Sequence, residues 1–187
     1  MAMGDVEMMR KTGRQLYTET EELQLLGVHY NHPDLAIFFL LPKERFGLAQ
    51  MQSNLNGRKL LRLLNAARHG WVSMYLPKFR LEQLLNLEAP LRQIGVTDMF
   101  EPGRADFSGI GGGPNDKSDS VTKVVQNVFI EIDELGTEAV DGSTALPGGE
   151  EIGEPHPTFQ ADHPFMFVIV ERQTCSLLLT GHFTNVS

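Results

Sequence analysis

The stretch Val140–Thr158, VDGSTALPGGEEIGEPHPT, constrains this chain more than any other. It is polar, rich in glycine and proline, and separates two strongly apolar strand patterns. Before it, QNVFIEIDELGTEA alternates Val128, Ile130 and Ile132 with Phe129, Glu131 and Asp133, the period-two pattern of a half-buried strand. After it, FQADHPFMFVIV resumes as a second strand. A structureless loop of this length is uncommon inside a compact domain and is usually functional or disordered. The residues on either side favour function.

The rest of the composition excludes more than it assigns. A chain of 187 residues can bury one sizeable core, or two small ones. Its net charge of -8 is dispersed, with no Lys/Arg run, so a nucleic-acid surface is not expected. The longest apolar runs, LAIFFLL and FMFVIV, are too short to span a bilayer, and no secretory n-region and h-region open the chain. The lone Cys175 cannot form an internal disulfide, and it reads as a weakly reactive surface thiol in a turn. His29, His32, His69, His156, His163 and His182 lack ligand spacing, so no metal is expected. GGGPNDKSDS lacks the spacing and the Lys-Ser/Thr of a phosphate-binding loop, and no nucleophile elbow is present. Neither an enzyme nor a cofactor is expected. Asn185 opens a formal glycosylation sequon at the extreme terminus.

Taken in order, MAMGDVEMMRKTG shows neither cap nor periodicity, and residues 1–5 have no assignable structure. GRQLYTETEELQLLGVHY and NHPDLAIFFLLPKE predict three strands, with turns at Glu21–Glu22 and Asn31–Pro33. Leu35–Leu41 is apolar on both faces, as in a strand buried within a sheet. Two short helices follow, Phe46–Leu55 and Gly57–Ala67, the second with Leu60, Leu61 and Leu64 on one face and ended by His69-Gly70. WVSMYLPKFRLEQ predicts strands broken at Pro77. NLEAPLRQIG predicts a helix capped by Asn86 and stopped by Gly95, with Leu87, Leu91 and Ile94 as its buried stripe.

These motifs, in this order, resemble the C-terminal half of the serpin family. AIFFLLPKE resembles a central strand of that family, VSMYLPKFRLE its LPKF strand pair, and GVTDMF…ADFSGI the helix and turn after it. KVVQNVFIEIDELGTEA is similar to the strand leading into the reactive loop. Phe159, Ala161, Asp162, His163, Pro164 and Phe165 in FQADHPFMFVI fit the signature strand, and GHF fits the last strand. The resemblance implies an α+β fold of antiparallel sheets with a few helices and an exposed reactive loop, over a serpin domain at residues 6–187. A complete member of the family is about twice this long, so the first half is expected to be missing and the chain to be truncated.

The resemblance also implies a mechanism. A serine protease cuts the loop, and the loop's first arm then inserts as a new strand in the central sheet, dragging the acyl-enzyme with it. Glu134, Gly136, Thr137, Glu138 and Ala139 match the hinge. Family spacing from Gly136 brings the scissile bond to Glu150–Glu151, and spacing back from Pro164 brings it to Gly153–Glu154. Inserted alternation would turn Asp141 and Pro147 inward, an unpaired charge and a missing ladder donor, and Gln126 stands where most members carry a histidine. The expected function is therefore a serpin-type inhibitor whose partner is a serine protease. The alternative is a non-inhibitory binding or structural protein whose loop is only a protease substrate. Open sheet edges would promote self-association. The expected compartment is extracellular if the full-length protein carries a signal peptide, with the cytoplasm as the alternative.

Overall fold

In a computed structural model of the chain, residues 6–32, 34–110, 119–133 and 156–184 are described. They fall into two compact units, one of residues 1–79 and 132–187, the other of residues 80–131.

The larger unit is built on one seven-stranded sheet. Its strands are β1 (Met8–Glu19), β2 (Leu23–His29), β3 (Leu35–Pro42), β4 (Arg68–Pro77), β7 (Thr158–Gln160), β8 (Phe165–Glu171) and β9 (Ser176–Phe183), in the spatial order β7-β4-β1-β2-β3-β8-β9. All pairings are antiparallel except β4 with β7. The three predicted strands and the predicted turn at Glu21–Glu22 are present; of the second predicted turn Pro33 lies outside the described residues, and beside it the Leu35 amide donates to the His32 carbonyl at 3.1 Å. β1 starts earlier than its pattern suggests, at Met8, because it is held by a continuous register against β4 from Met8↔Pro77 to Tyr17↔Arg68. The apolar run of β3 is buried along its length between β2 and β8.

Around β2, β3 and β8 both faces of this sheet carry packed side chains. On one side Phe38, Leu40, Val168 and Val170 pack with residues of α1 (Leu48–Asn54) and α2 (Gly57–Ala66). On the other an aromatic cluster forms: Phe39 meets Phe165 edge-on, and Phe79 stacks on Phe183 at 4.7 Å and touches Phe167 at 5.8 Å. Asn56 caps α2, its side chain accepting from the Lys59 amide at 2.9 Å. The stripe of α2 is Leu60, Leu63 and Leu64, whereas Leu61 is exposed. Leu60 and Leu61 are neighbours about 100° apart on a helix, so they cannot share one narrow face. Nor does His69-Gly70 end this helix. Ala67 caps it in extended conformation, the Arg68 guanidinium donates to the Asn65 and Ala67 carbonyls, and Arg68, His69 and Gly70 already belong to β4.

The smaller unit holds most of a two-stranded sheet of β5 (Phe79–Asn86) and β6 (Val125–Ile132), with α3 (Glu88–Gln93) and a 3-10 turn at Asp98–Phe100. Asn86 accepts from the Glu88 amide at 3.2 Å, and Gly95 ends the turn at φ +92°, a conformation glycine adopts without strain. The expected stripe of Leu87, Leu91 and Ile94 is not buried. Leu87 and Ile94 are the caps of a six-residue helix, so the helical period does not extend to them, and Ile94 is 75% exposed. Arg92 is instead the organising side chain, donating to Glu88 and Glu101 and lying 4.8 Å over the Phe100 ring.

Gly181 on β9 lies opposite Phe167 and leaves room for its ring; a Cβ there would sit 2.4 Å from Phe167 Cζ. Gly181→Ala must therefore push Phe167 against Phe79. We expect a stability loss of about 1–3 kcal/mol, the usual cost of overpacking, read as a lower urea midpoint.

Candidate functional site

The long polar loop leaves the described residues at Asp133 and returns at His156. The hinge residues Glu134, Gly136, Thr137, Glu138 and Ala139 lie outside the described residues, as do Glu150, Glu151, Gly153, Glu154 and Asn185. Asp141 and Pro147 lie outside them too. What the structure describes is how the two ends are anchored.

The leading end is β6. Its alternation follows the sequence pattern: Ile130 and Ile132 are buried and Val128 is partly so, while Phe129 and Glu131 are exposed. Gln126 is exposed. Among the described residues β6 pairs only with β5, so its second edge carries unpaired backbone donors and acceptors.

The returning end is more heavily secured. β7 runs parallel to β4, Ser73↔Thr158 to Tyr75↔Gln160, and the Ala161 amide continues the pairing with the Tyr75 carbonyl at 2.9 Å. Phe159, Ala161 and Phe165 are fully buried. Between them the chain crosses from the β7 edge to β8 beside β3. His163 fixes that crossing: Nε2 lies 2.7 Å from the Pro42 carbonyl at the end of β3, and Nδ1 lies 2.7 Å from Asp162 Oδ1. A carbonyl only accepts, so Nε2 donates to it. Arg45 completes the clamp, donating to the Asp162 carboxylate at 3.4 Å and to its backbone carbonyl at 3.2 Å. Sequence alone placed His163 in the signature strand without ligand spacing but missed Pro42 and Arg45, whose only signal was the PKER that follows the apolar run of β3.

Burial pushes the Asp162 carboxyl up, but the hydrogen bond to His163 and the nearby His163 and Arg45 charges outweigh it and hold the group below the usual carboxylate range. Beside the clamp a cleft of about 510 Å³ is lined by Glu19, Gln24, Lys43, Thr158, Gln160 and His163. Gln24 bridges it, donating to the Tyr17 hydroxyl at 2.9 Å and to the Thr158 carbonyl at 3.1 Å. Burial pushes Tyr17 up to about 12, so its hydroxyl stays neutral and bonds to both Gln24 and Glu19.

Among the described residues no group of three or more His, Cys, Asp or Glu is arranged to hold a metal ion, and no helix is long and apolar enough to cross a membrane. Cys175 is exposed in the β8–β9 turn at φ +57°. Its sulfur faces the Arg172 carbonyl at 3.8 Å.

Comparison with known proteins agrees with this geometry. A family model described as serpin, serine protease inhibitor, matches residues 2–186. The chain belongs to the serpin family. It is 36% identical over 184 residues to bovine Serpin B8, covering 96% of this chain and 48% of that protein. It superposes on the native state of tengpin, a thermophilic serpin, with a TM-score of 0.77 at 29% identity, covering 97% of this chain and 46% of that one. Human thyroxine-binding globulin matches with a TM-score of 0.75 at 26% identity, covering 95% and 45%. The chain thus spans about half the length of the curated relatives it matches. The fold is α+β and serpin-like.

The clamp predicts how acid acts on the protein. Because the folded Asp162 carboxyl lies low, its contribution is complete above the unfolded value near ~3.9 and is lost as pH falls through the folded value. In melting curves we expect Asp162→Asn to be less stable than the natural chain by a constant margin above about pH 5, a margin that closes in more acid solution. His163→Ala, which strips the Pro42 carbonyl of its donor and opens a cavity, is expected to cost about 2–4 kcal/mol.

Proposed function

We propose that the chain carries the bait loop of a serine protease inhibitor of the serpin type, with residues 134–155 as the segment offered to the protease. The observation that carries this reading is the asymmetry of the two anchors. The loop leaves from β6, a strand whose second edge is open among the described residues, and returns into the buried, clamped segment Phe159–Phe165. A cut in such a loop frees its first arm to pair along β6 while its second arm stays fixed.

In this reading Glu134, Gly136, Thr137, Glu138 and Ala139 form the hinge, and Glu150–Glu151 or Gly153–Glu154 is the bond cut. Small residues at the hinge suit insertion. Asp141 and Pro147 oppose it, since an unpaired buried carboxylate and a lost ladder bond would each cost on the order of a few kcal/mol. Gln126, exposed on β6, supplies no imidazole to latch the sheet. A second reading, a binding or structural protein whose loop is only cleaved, draws support from the likeness to thyroxine-binding globulin, a family member named for a small ligand. Among the described residues the outer edges of β7 and β9 are open and offer routes to self-association.

The deciding experiment is incubation with trypsin-, elastase- and acid-specific serine proteases, followed by denaturing electrophoresis. For this chain by itself we expect cutting between Val140 and Pro157 and release of active protease, because insertion must outrun deacylation and these penalties slow it. A band at the summed mass, lost when the protease's active-site serine is blocked, would show efficient trapping and overturn that expectation. In full-length context, Asp141→Ala with Pro147→Val should raise the yield of complex.

A further inference from the structure

The chain has one asparagine followed by glycine, Asn56–Gly57, and the fold sets that pair at the start of α2. Asn56 is the N-cap, extended at φ -124° and ψ 169°, and its Oδ1 accepts from the Lys59 amide at 2.9 Å. Its backbone carbonyl accepts the first bond of the helix, from the Leu60 amide, also at 2.9 Å. Both residues of the pair are exposed, and a Cβ built on Gly57 meets nothing within 4 Å. The Gly57 amide lies in the first turn, where the helix offers it no acceptor, so the nitrogen next to the Asn56 side chain is not held within α2. The capping bond meanwhile draws electrons from the side-chain carbonyl, which leaves its carbon more open to attack.

We propose that Asn56–Gly57 is a site of spontaneous modification, converting in the folded protein to aspartate and isoaspartate, and that the second product loosens α2 from the sheet. The Gly57 nitrogen attacks Asn56 Cγ. The new N–Cγ bond closes a five-membered imide, the Cγ–Nδ2 bond breaks, and Nδ2 leaves as ammonia with the proton of the Gly57 amide. Water then opens the imide on either side. Cleavage of N–Cγ leaves aspartate in an unchanged backbone. Cleavage at the backbone carbonyl leaves isoaspartate, with the chain running through Cγ and one methylene longer. Only Leu55 and Asn56 join α1 to α2, and Leu55 is itself packed on the core, so the connection has no slack for an extra atom. Isoaspartate also exchanges the two acceptors at this end: the carbonyl that takes the Leu60 amide becomes a side carboxylate, and the capping oxygen passes into the chain. The contacts at stake are those of Leu60, Leu63 and Leu64 with Phe38, Leu40 and Val168. Aspartate, by contrast, keeps the cap and adds a negative charge at the helix start, where it is favourable.

The test is ageing of the folded chain in mildly alkaline buffer, with peptide mass spectrometry to follow Asn56 and melting curves to follow α2. We expect Asn56 to lose its amide faster than Asn54, Asn65 and Asn86, which are exposed as well. The loss should speed up as pH rises, because the attacking nitrogen must give up its proton, and the isoaspartate fraction should melt below the starting protein. Gly57→Ala, which the open space accepts and which suits a helix better, should slow conversion by about tenfold or more, since a methyl group must pass the Asn56 side chain as the ring closes. Asn56→Ser keeps a capping oxygen but carries no amide, and should hold its melting temperature through the same treatment. Asn56→Asp should melt at or above the natural chain, which separates the effect of the added charge from that of the rerouted backbone. Conversion no faster than at the other three asparagines, conversion only after unfolding in urea, or a Gly57→Ala chain that converts as fast as the natural one would overturn the proposal. An isoaspartate fraction that melts with the starting protein would overturn the loosening of α2.

Discussion

The larger unit depends on one crossing: the chain must pass from the edge at β7 to the interior at β8. A segment that bridges two parts of a sheet cannot pair along its whole length, so its polar groups need other partners. His163 supplies them. Its ring is nearly buried, and each nitrogen has an oxygen at 2.7 Å, one from the end of β3 and one from its neighbour Asp162. Phe159 and Phe165 then fill the interior on either side of the crossing. The β3–β8 pairing and the aromatic cluster of Phe39, Phe79 and Phe183 meet around this point.

The same arrangement makes the two anchors of the segment between Asp133 and His156 unequal. The second anchor is fixed by fully buried side chains and by bonds from Arg45, whereas the first is a strand with one edge open among the described residues. Most of the stabilising terms are apolar and sit within the seven-stranded sheet; the surface ion pairs, such as Lys43 with Glu19, contribute little by comparison.

Much of this was legible in the sequence, and the exceptions share a cause. The runs in β2, β3 and β8 are long and apolar, so their burial followed from pattern alone. The misreadings, Leu61, Ile94 and the ending of α2 at His69-Gly70, occur where an element is only two or three turns long, too short for a period to separate one face from its neighbour. Met8 could not be read from periodicity because β1 shows one buried residue, Met9, over its first residues; its pairing comes from β4, a partner far along the chain. The acceptor for His163 was out of reach for the same reason, since Pro42 is a backbone oxygen brought in by topology.

Trp71 is the chain's single tryptophan, and it stands half-exposed within ring contact of His156, the residue at which the loop returns. Indole emission shifts with the polarity of its surroundings and is quenched by neighbouring groups. With no second indole to dilute the signal, the protein carries a built-in optical reporter at the junction of loop and sheet, read without any added label.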